Sequence, residues 1–202
     1  MSATSEKKRC RWVPLDDPEY VRYHDQEWGR PIHDDRLLFE MLILEGAQAG
    51  LSWSTILHKR AGYQRAFANF EPRKVARFDA ARRAALMQEP GIVRNRLKIE
   101  STVTNAQAFL AVQREFGSFD RYLWSFVKGR PLVNGPTARA GVPARTALSD
   151  QISKDLSKRG FRFVGTTILY AFLQAVGVVN DHSRDCFLYS PTGLRARKRA
   201  PQ

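Results

Sequence analysis

The segment from Val164 to Val178 constrains the fold most, because nearly every residue in it is apolar. A helix that is apolar on all sides must be wrapped by other elements. The run is too short and too interrupted to cross a membrane. It predicts a buried helix at the centre of a water-soluble fold, and the remaining sequence supplies helices to surround it. Asp16-Asp17-Pro18 has the form of a cap and a first-turn proline, opening a helix to about Trp28. Asp34-Asp35 caps a second, whose apolar residues Leu38, Met41, Leu42 and Ala49 recur at helical spacing, with Gly50 as its stop. Ser52 caps a third, and Glu71-Pro72 and Asp79 open two short ones, the second running to Met87. A longer helix is predicted from Val93 to Glu115. Ser118 or Asp120 starts the next, and Ser149 starts one ending before Gly160. The Gly- and Pro-containing stretch 128–147 is the longest irregular connection, with one short extended piece at Leu132–Val133. No alternating pattern of useful length occurs, so the predicted class is all-α.

The length of 202 residues suits one domain, and the hydrophobic share of 43% suffices for a core. Residues 10–190 are expected to form it, between flexible basic tails at 1–9 and 191–202. The N-terminus, MSATSEKKRCRW, has no apolar core of a secretory signal, so a cytoplasmic protein with no membrane partner is expected. The formal charge is +13, of which the body between the charged tails keeps +7. That favours a polyanionic partner, nucleic acid first, over a surface that is merely basic.

Three constellations carry chemistry. The two cysteines, Cys10 and Cys186, lie at opposite ends of a chain with no sign of secretion, which disfavours a disulfide. His24 lies fourteen positions after Cys10, and His182 four before Cys186, on one face of a helical turn. Two thiolates and two imidazoles make a closed tetrahedral zinc site, which would be structural. The spacing is no known finger pattern, so two free cysteines and two ordinary histidines remain the alternative. Second, Leu86 to Arg96 has a helix, a Pro90-Gly91 turn and a second helix. Such a hairpin offers backbone N–H groups to a phosphate, with Arg94, Arg96 and Lys98 adding cations; the alternative is an ordinary helix corner. Third, Glu45 falls on the apolar face of the second helix, where a carboxylate must be paired, protonated or functional. Tyr20, Tyr23 and Trp28 on the first helix and Trp53 on the third could join it in a pocket for a flat cationic ring, or form a plain aromatic core.

Several words occur together: Cys10-Arg-Trp, Tyr23-His-Asp-Gln-Glu-Trp-Gly29, Leu44-Glu-Gly-Ala-Gln-Ala-Gly-Leu-Ser-Trp53, Gly91-Ile-Val-Arg-Asn-Arg-Leu-Lys-Ile99, Trp124-Ser-Phe126, Lys158-Arg-Gly-Phe-Arg-Phe-Val-Gly-Thr-Thr167, and Asn180-Asp-His182 with Cys186. In this order, from Cys10 to about Tyr189, the chain resembles the Tag family, 3-methyladenine DNA glycosylase I, of the helix-hairpin-helix glycosylases. The resemblance implies a helix-hairpin-helix glycosylase fold whose termini are tied by one structural Zn2+ on Cys10, His24, His182 and Cys186. It implies Glu45 as the catalytic carboxylate and Tyr20, Tyr23, Trp28 and Trp53 as the base pocket. It places Gly50 and Leu51 in the gap left by the extruded nucleotide, and Gly91, Arg94, Arg96 and Lys98 against the DNA backbone. The implied activity is monofunctional hydrolysis of 3-methyladenine from alkylated duplex DNA, by a monomer, with no lyase step. Ala47 and Arg11 depart from the usual residues of the family, and the basic tail Arg195 to Arg199 has no place in it.

Overall fold

The computed structural model describes residues 7–137 and 141–196. Residues 1–6 and 197–202 of the expected tails, with Arg197, Lys198 and Arg199, lie outside the described residues. Nine α-helices are described: α1 (Pro18–Gln26), α2 (Asp35–Gln48), α3 (Trp53–Ala66), α4 (Pro72–Val75), α5 (Ala80–Leu86), α6 (Arg96–Phe116), α7 (Phe119–Ser125), α8 (Ala147–Lys158) and α9 (Thr166–Ala175). Leu132–Val133 (β1) pairs in parallel with Val179–Asn180 (β2), so the short extended piece is present. Among the described residues no helix is long and apolar enough to cross a membrane.

The caps act largely where the sequence puts them. Asp17, Asp34, Ser52, Asp79 and Ser118 each accept a hydrogen bond from a backbone N–H in the first turn of α1, α2, α3, α5 and α7. Two starts are corrected. The long helix begins at Arg96 rather than Val93, because Asn95 caps it through Lys98 N–H while the Tyr63 hydroxyl takes Val93 N–H. Thr146, not Ser149, caps α8; Ser149 stands at the third position and completes a reciprocal capping box.

The core is built on α2 and α9, which pack together, with α3 and α6 also on α2. All ten residues from Leu38 to Ala47 are buried, so α2 is enclosed on every side rather than showing one apolar face. Its polar residue Glu40 is neutralised within a buried cluster: Arg60 donates to Glu40 and Glu27, each at 2.6 Å, and Gln64 donates to Glu40 at 3.0 Å. That cluster fixes the end of α1 and the length of α3 against α2. Asp35 ties the start of α2 to α7 by accepting from Gln113 and from the N–H groups of Phe119 and Asp120. Gly62 allows α3 and the hairpin to touch, since a Cβ there would lie 2.2 Å from the Gly91 carbonyl oxygen. Any side chain would force the two elements apart.

Candidate active site and metal cluster

Glu45 projects from α2 into an open cleft of about 230 Å3 lined by Trp12, Tyr20, Tyr23, Trp28, Gln48, Trp53 and Gln174 among others. The carboxylate is buried at 4% exposure. Among the described residues it has no hydrogen bond or ion pair, because Arg60, the half-buried guanidinium on the neighbouring helix, is engaged by Glu40 and Glu27. Burial without a countercharge pushes the Glu45 carboxyl up to about 8. Its field adds to burial in raising Tyr20 to about 12 and in raising Tyr23 as well. Helical spacing puts Tyr20 and Tyr23 side by side, with ring centroids 6.3 Å apart, and Trp53 lies 5.3 Å beyond Tyr23. The buried indole N–H of Trp53 has no partner among the described residues. A desolvated carboxylate and π faces around an open cleft suit a flat cation.

The structure brings Glu45, Tyr20, Tyr23, Trp28 and Trp53 to one cavity, and it adds Trp12, which the sequence reading left without a role. Trp12 stands 5.8 Å from Tyr20 and 4.7 Å from Trp28. Its place in the Cys10-Arg-Trp word was the available signal. Gln48 and Gln174 were also missed, since polar residues on helices carry no mark of the cavity they face. Gly50, in left-handed conformation at φ +77°, and Leu51, 40% exposed, follow the C-terminus of α2. Here an apolar side chain meets solvent one turn beyond the cleft residue Gln48.

At the hairpin, Arg94 and Arg96 are exposed and free of partners among the described residues. Gly91 N–H donates to the Glu89 carboxylate at 3.0 Å. Lys98 departs from the expected role of a free phosphate-facing cation. Its ammonium donates to Ala47 O at 2.8 Å and Ala49 O at 2.7 Å. Those carbonyls end α2, where a cation is favoured by the helix dipole. Lys98 therefore braces the hairpin against the helix that carries Glu45.

Behind the cleft, Cys10, His24 and Cys186 bring their ligand atoms within 4.8 Å of one another, all buried. His24 Nε2 is 3.6 Å from the Cys186 sulfur. His182 stands beside them, its ring centroid 5.2 Å from that of His24. It is not on a helical turn with Cys186, as the spacing suggested: residues 183–188 form a turn closed by Cys186 N–H on Ser183 O. The rings are held from outside. His24 Nδ1 meets Asp25 at 2.8 Å, and Asp25 is held by Arg9 at 2.7 Å. His182 Nδ1 meets Asn180 Oδ1 at 2.8 Å, and its buried Nε2 has no partner among the described residues. Burial above all pushes His182 down to about 3, so its ring is neutral. The Cys10 thiol is lowered by hydrogen bonds from Cys186 and His24 against the effect of burial, while Cys186 is raised by Cys10 and by burial. An orphaned imidazole nitrogen, a second imidazole, two thiols and outer hydrogen bonds that fix both rings form a donor set that fits a tetrahedral zinc ion. Gly29 belongs to the same packing, since a Cβ there would come 2.6 Å from the His182 ring. Trp28 joins the two sites: it lines the cleft and touches His182 at 4.6 Å.

The methyladenine glycosylase family model matches residues 12–189. The chain is 47% identical over 178 residues to the DNA-3-methyladenine glycosylase of Haemophilus influenzae, covering 88% of this chain and 96% of that one. To DNA-3-methyladenine glycosylase 1 of Escherichia coli it is 48% identical over 182 residues, covering 90% and 97%. Among solved structures, a crystal structure of 3-methyladenine DNA glycosylase I superposes with a TM-score of 0.87 at 47% identity, covering 91% of this chain and all of that one. A variant of the same enzyme type in complex with 3-methyladenine gives 0.86 at 40% identity, covering 89% and 96%. With α1 to α9, and so every helix that bounds the cleft, inside the matched region, the chain belongs to the methyladenine glycosylase family.

Proposed function

We propose that this chain hydrolyses the N-glycosidic bond of 3-methyladenine in alkylated duplex DNA and leaves an abasic site, without a lyase step. The observation that carries the reading is Glu45: a buried carboxylate without a countercharge, at an aromatic cleft. The relatives that cover nearly the whole chain carry the 3-methyladenine glycosylase name, and one solved relative holds the base itself.

The chemistry follows from charge. Adenine methylated at N3 is cationic in DNA, so its glycosidic bond is weakened and the departing base needs no strong acid. The nucleotide is extruded at a cost of a few kcal/mol of stacking, and Leu51 fills the space it leaves. In the cleft the cationic ring lies against Tyr20, Tyr23, Trp28 and Trp53. Its charge drives Glu45 to ionise, and the carboxylate accepts hydrogen bonds from the base edge. Water attacks the sugar C1′, the C1′–N bond electrons go to the base, and neutral 3-methyladenine leaves while the water proton goes to solvent. The neutral product no longer pairs with the Glu45 charge, which favours its release. Cys10, His24, His182 and Cys186 would hold a structural zinc, which would cross-link the N-terminal segment and α1 to the segment after β2.

Base release from methylated duplex DNA, with the freed bases separated by chromatography, tests the reading. Release of 3-methyladenine with 7-methylguanine left in place is expected. Folded, DNA-binding protein that releases neither would overturn it, and strand cleavage without a chemical workup would overturn the monofunctional part.

A further inference from the structure

The cations of this chain are unevenly placed. Residues 59–98 hold eleven basic and three acidic residues, more than half of the chain's excess positive charge. Within it Arg60 is engaged by Glu27 and Glu40, and outside it Arg9 pairs with Asp25 and Arg159 with Glu115 and Asp155. Arg73, Lys74 and Arg77 on α4 and the turn after it are exposed and have no ion pair among the described residues. Like charges at adjacent and i,i+3 or i,i+4 positions repel one another, so folding alone gives no reason to gather them.

Their placement forms a stripe. Arg73, Lys74 and Arg77 line an open hollow of about 460 Å3 with Arg36 on α2, which also reaches Glu40, and among the described residues the acid on its wall is Glu71. A second hollow, of about 500 Å3, runs between α5 and α6, with Arg83 and Arg96 on its walls and Glu100 as its acid. Arg96 belongs to the hairpin already described. The two hollows are joined by α6: α4 packs along it, and Gln107 donates to the Ala76 carbonyl beside Arg77. From Arg96 to Gln107 the helix rises about 16 Å. That length covers about five phosphates of one DNA strand at a rise of ~3.4 Å each.

We propose that the α4–α5 arm is a second phosphate-binding surface, which continues the hairpin contact along the backbone of the duplex flanking the lesion. It takes duplex DNA without reading sequence, since hollows rimmed by guanidinium groups meet phosphate and offer nothing shaped for base edges. The proposal rests on duplex DNA being the partner, and it concerns binding rather than base release.

The test is the salt dependence of binding to undamaged duplexes, one of about 24 bp and one of about 10 bp, read by fluorescence anisotropy. The variant Arg73→Gln/Lys74→Gln/Arg77→Gln changes exposed side chains only. On the long duplex it is expected to weaken binding several-fold at ~0.1 M salt and to reduce the slope of log K against log salt by about 2–3. On the short duplex, held by the hairpin, its slope matches the wild type. The control Lys154→Gln/Lys158→Gln on α8 removes exposed charge from another element and leaves both slopes in place. An unchanged slope on the long duplex overturns the proposal. So does an equal loss on the short one, an equal loss in the control, or a larger loss on double-stranded RNA than on DNA. Because binding is read without excision, wild-type protein that binds with a steep slope yet releases no base would sink the glycosylase reading alone.

Discussion

Glu45 shows how one buried group couples stability, pH and binding. Its carboxyl is raised to about 8 in the folded chain against an ordinary value of 4.5. The folded state thus holds the proton more tightly than the unfolded chain. The stability this gives is fully present below pH 4.5 and is lost as pH rises through about 8. Glu45→Gln should therefore melt close to wild type at pH 5 and increasingly above it toward pH 8, by about 1–3 kcal/mol. Denaturant titrations at the two pH values measure this, and a gap that shrinks with rising pH would refute it. The same substitution should lower excision of 3-methyladenine by about 10- to 100-fold, the worth of a charge-assisted hydrogen bond. For the wild type, kcat/KM should climb through about pH 8 and level only above it, as the free enzyme's Glu45 ionises. A second residue-scale effect concerns Glu89, whose carboxylate occupies the Gly91 N–H that a phosphate would use. Glu89→Ala removes that competitor and its charge, so affinity for undamaged duplex should rise several-fold; equal or weaker binding would place the phosphate elsewhere. Helical spacing made Glu45 conspicuous in the sequence, yet it left open whether an arginine neutralises it. That was decided by distance in the fold, where Arg60 is engaged by Glu40 and Glu27.

At the scale of elements, the hairpin depends on its seat. Gly62 on α3 lies against the backbone of Gly91, where an added Cβ would meet the carbonyl oxygen at 2.2 Å. Gly62→Ala must displace one backbone or the other, at about 1–3 kcal/mol. A helix propensity gain of up to ~1 kcal/mol works against that loss. A lower melting temperature together with weaker DNA binding is the expected outcome. A rise in melting temperature would show that the hairpin tolerates the shift. Lys98 belongs to the same seat, bridging α6 to the end of α2. In the sequence it is one cation among several after a Pro-Gly turn. Only the approach of two helices distant in the chain turns it into a cap on α2 carbonyls. The helix starts were more legible, because a cap acts within three or four residues of itself. Asp17, Asp34, Ser52 and Asp79 behave as their spacing predicts.

For the whole molecule, the Cys/His cluster joins the N-terminal segment, α1 and the turn after β2, and Trp28 carries that junction to the cleft wall. Purified protein should contain about one zinc per chain. Chelation, or Cys186→Ser, should lower the melting temperature and weaken 3-methyladenine binding together, since the same indole borders both sites. Metal content near zero in protein that melts as before would remove the metal assignment. By itself the sequence determined the helical class, most helix starts, and an apolar helix in the core at α9, though α9 spans Thr166–Ala175 rather than Val164 to Val178, is buried on only part of its surface, and the helices gather on α2. These follow from local spacing and composition, which act over one or two turns of chain. The tertiary structure alone decided which acids were neutralised, which cations stayed free, and that Trp12 and Gln174 face the cleft. It also set His182 beside His24 from the irregular stretch just after β2 rather than from a helix. The physical reason is that desolvation and ion pairing depend on distances between elements far apart in the chain, and those distances exist only once the helices have packed.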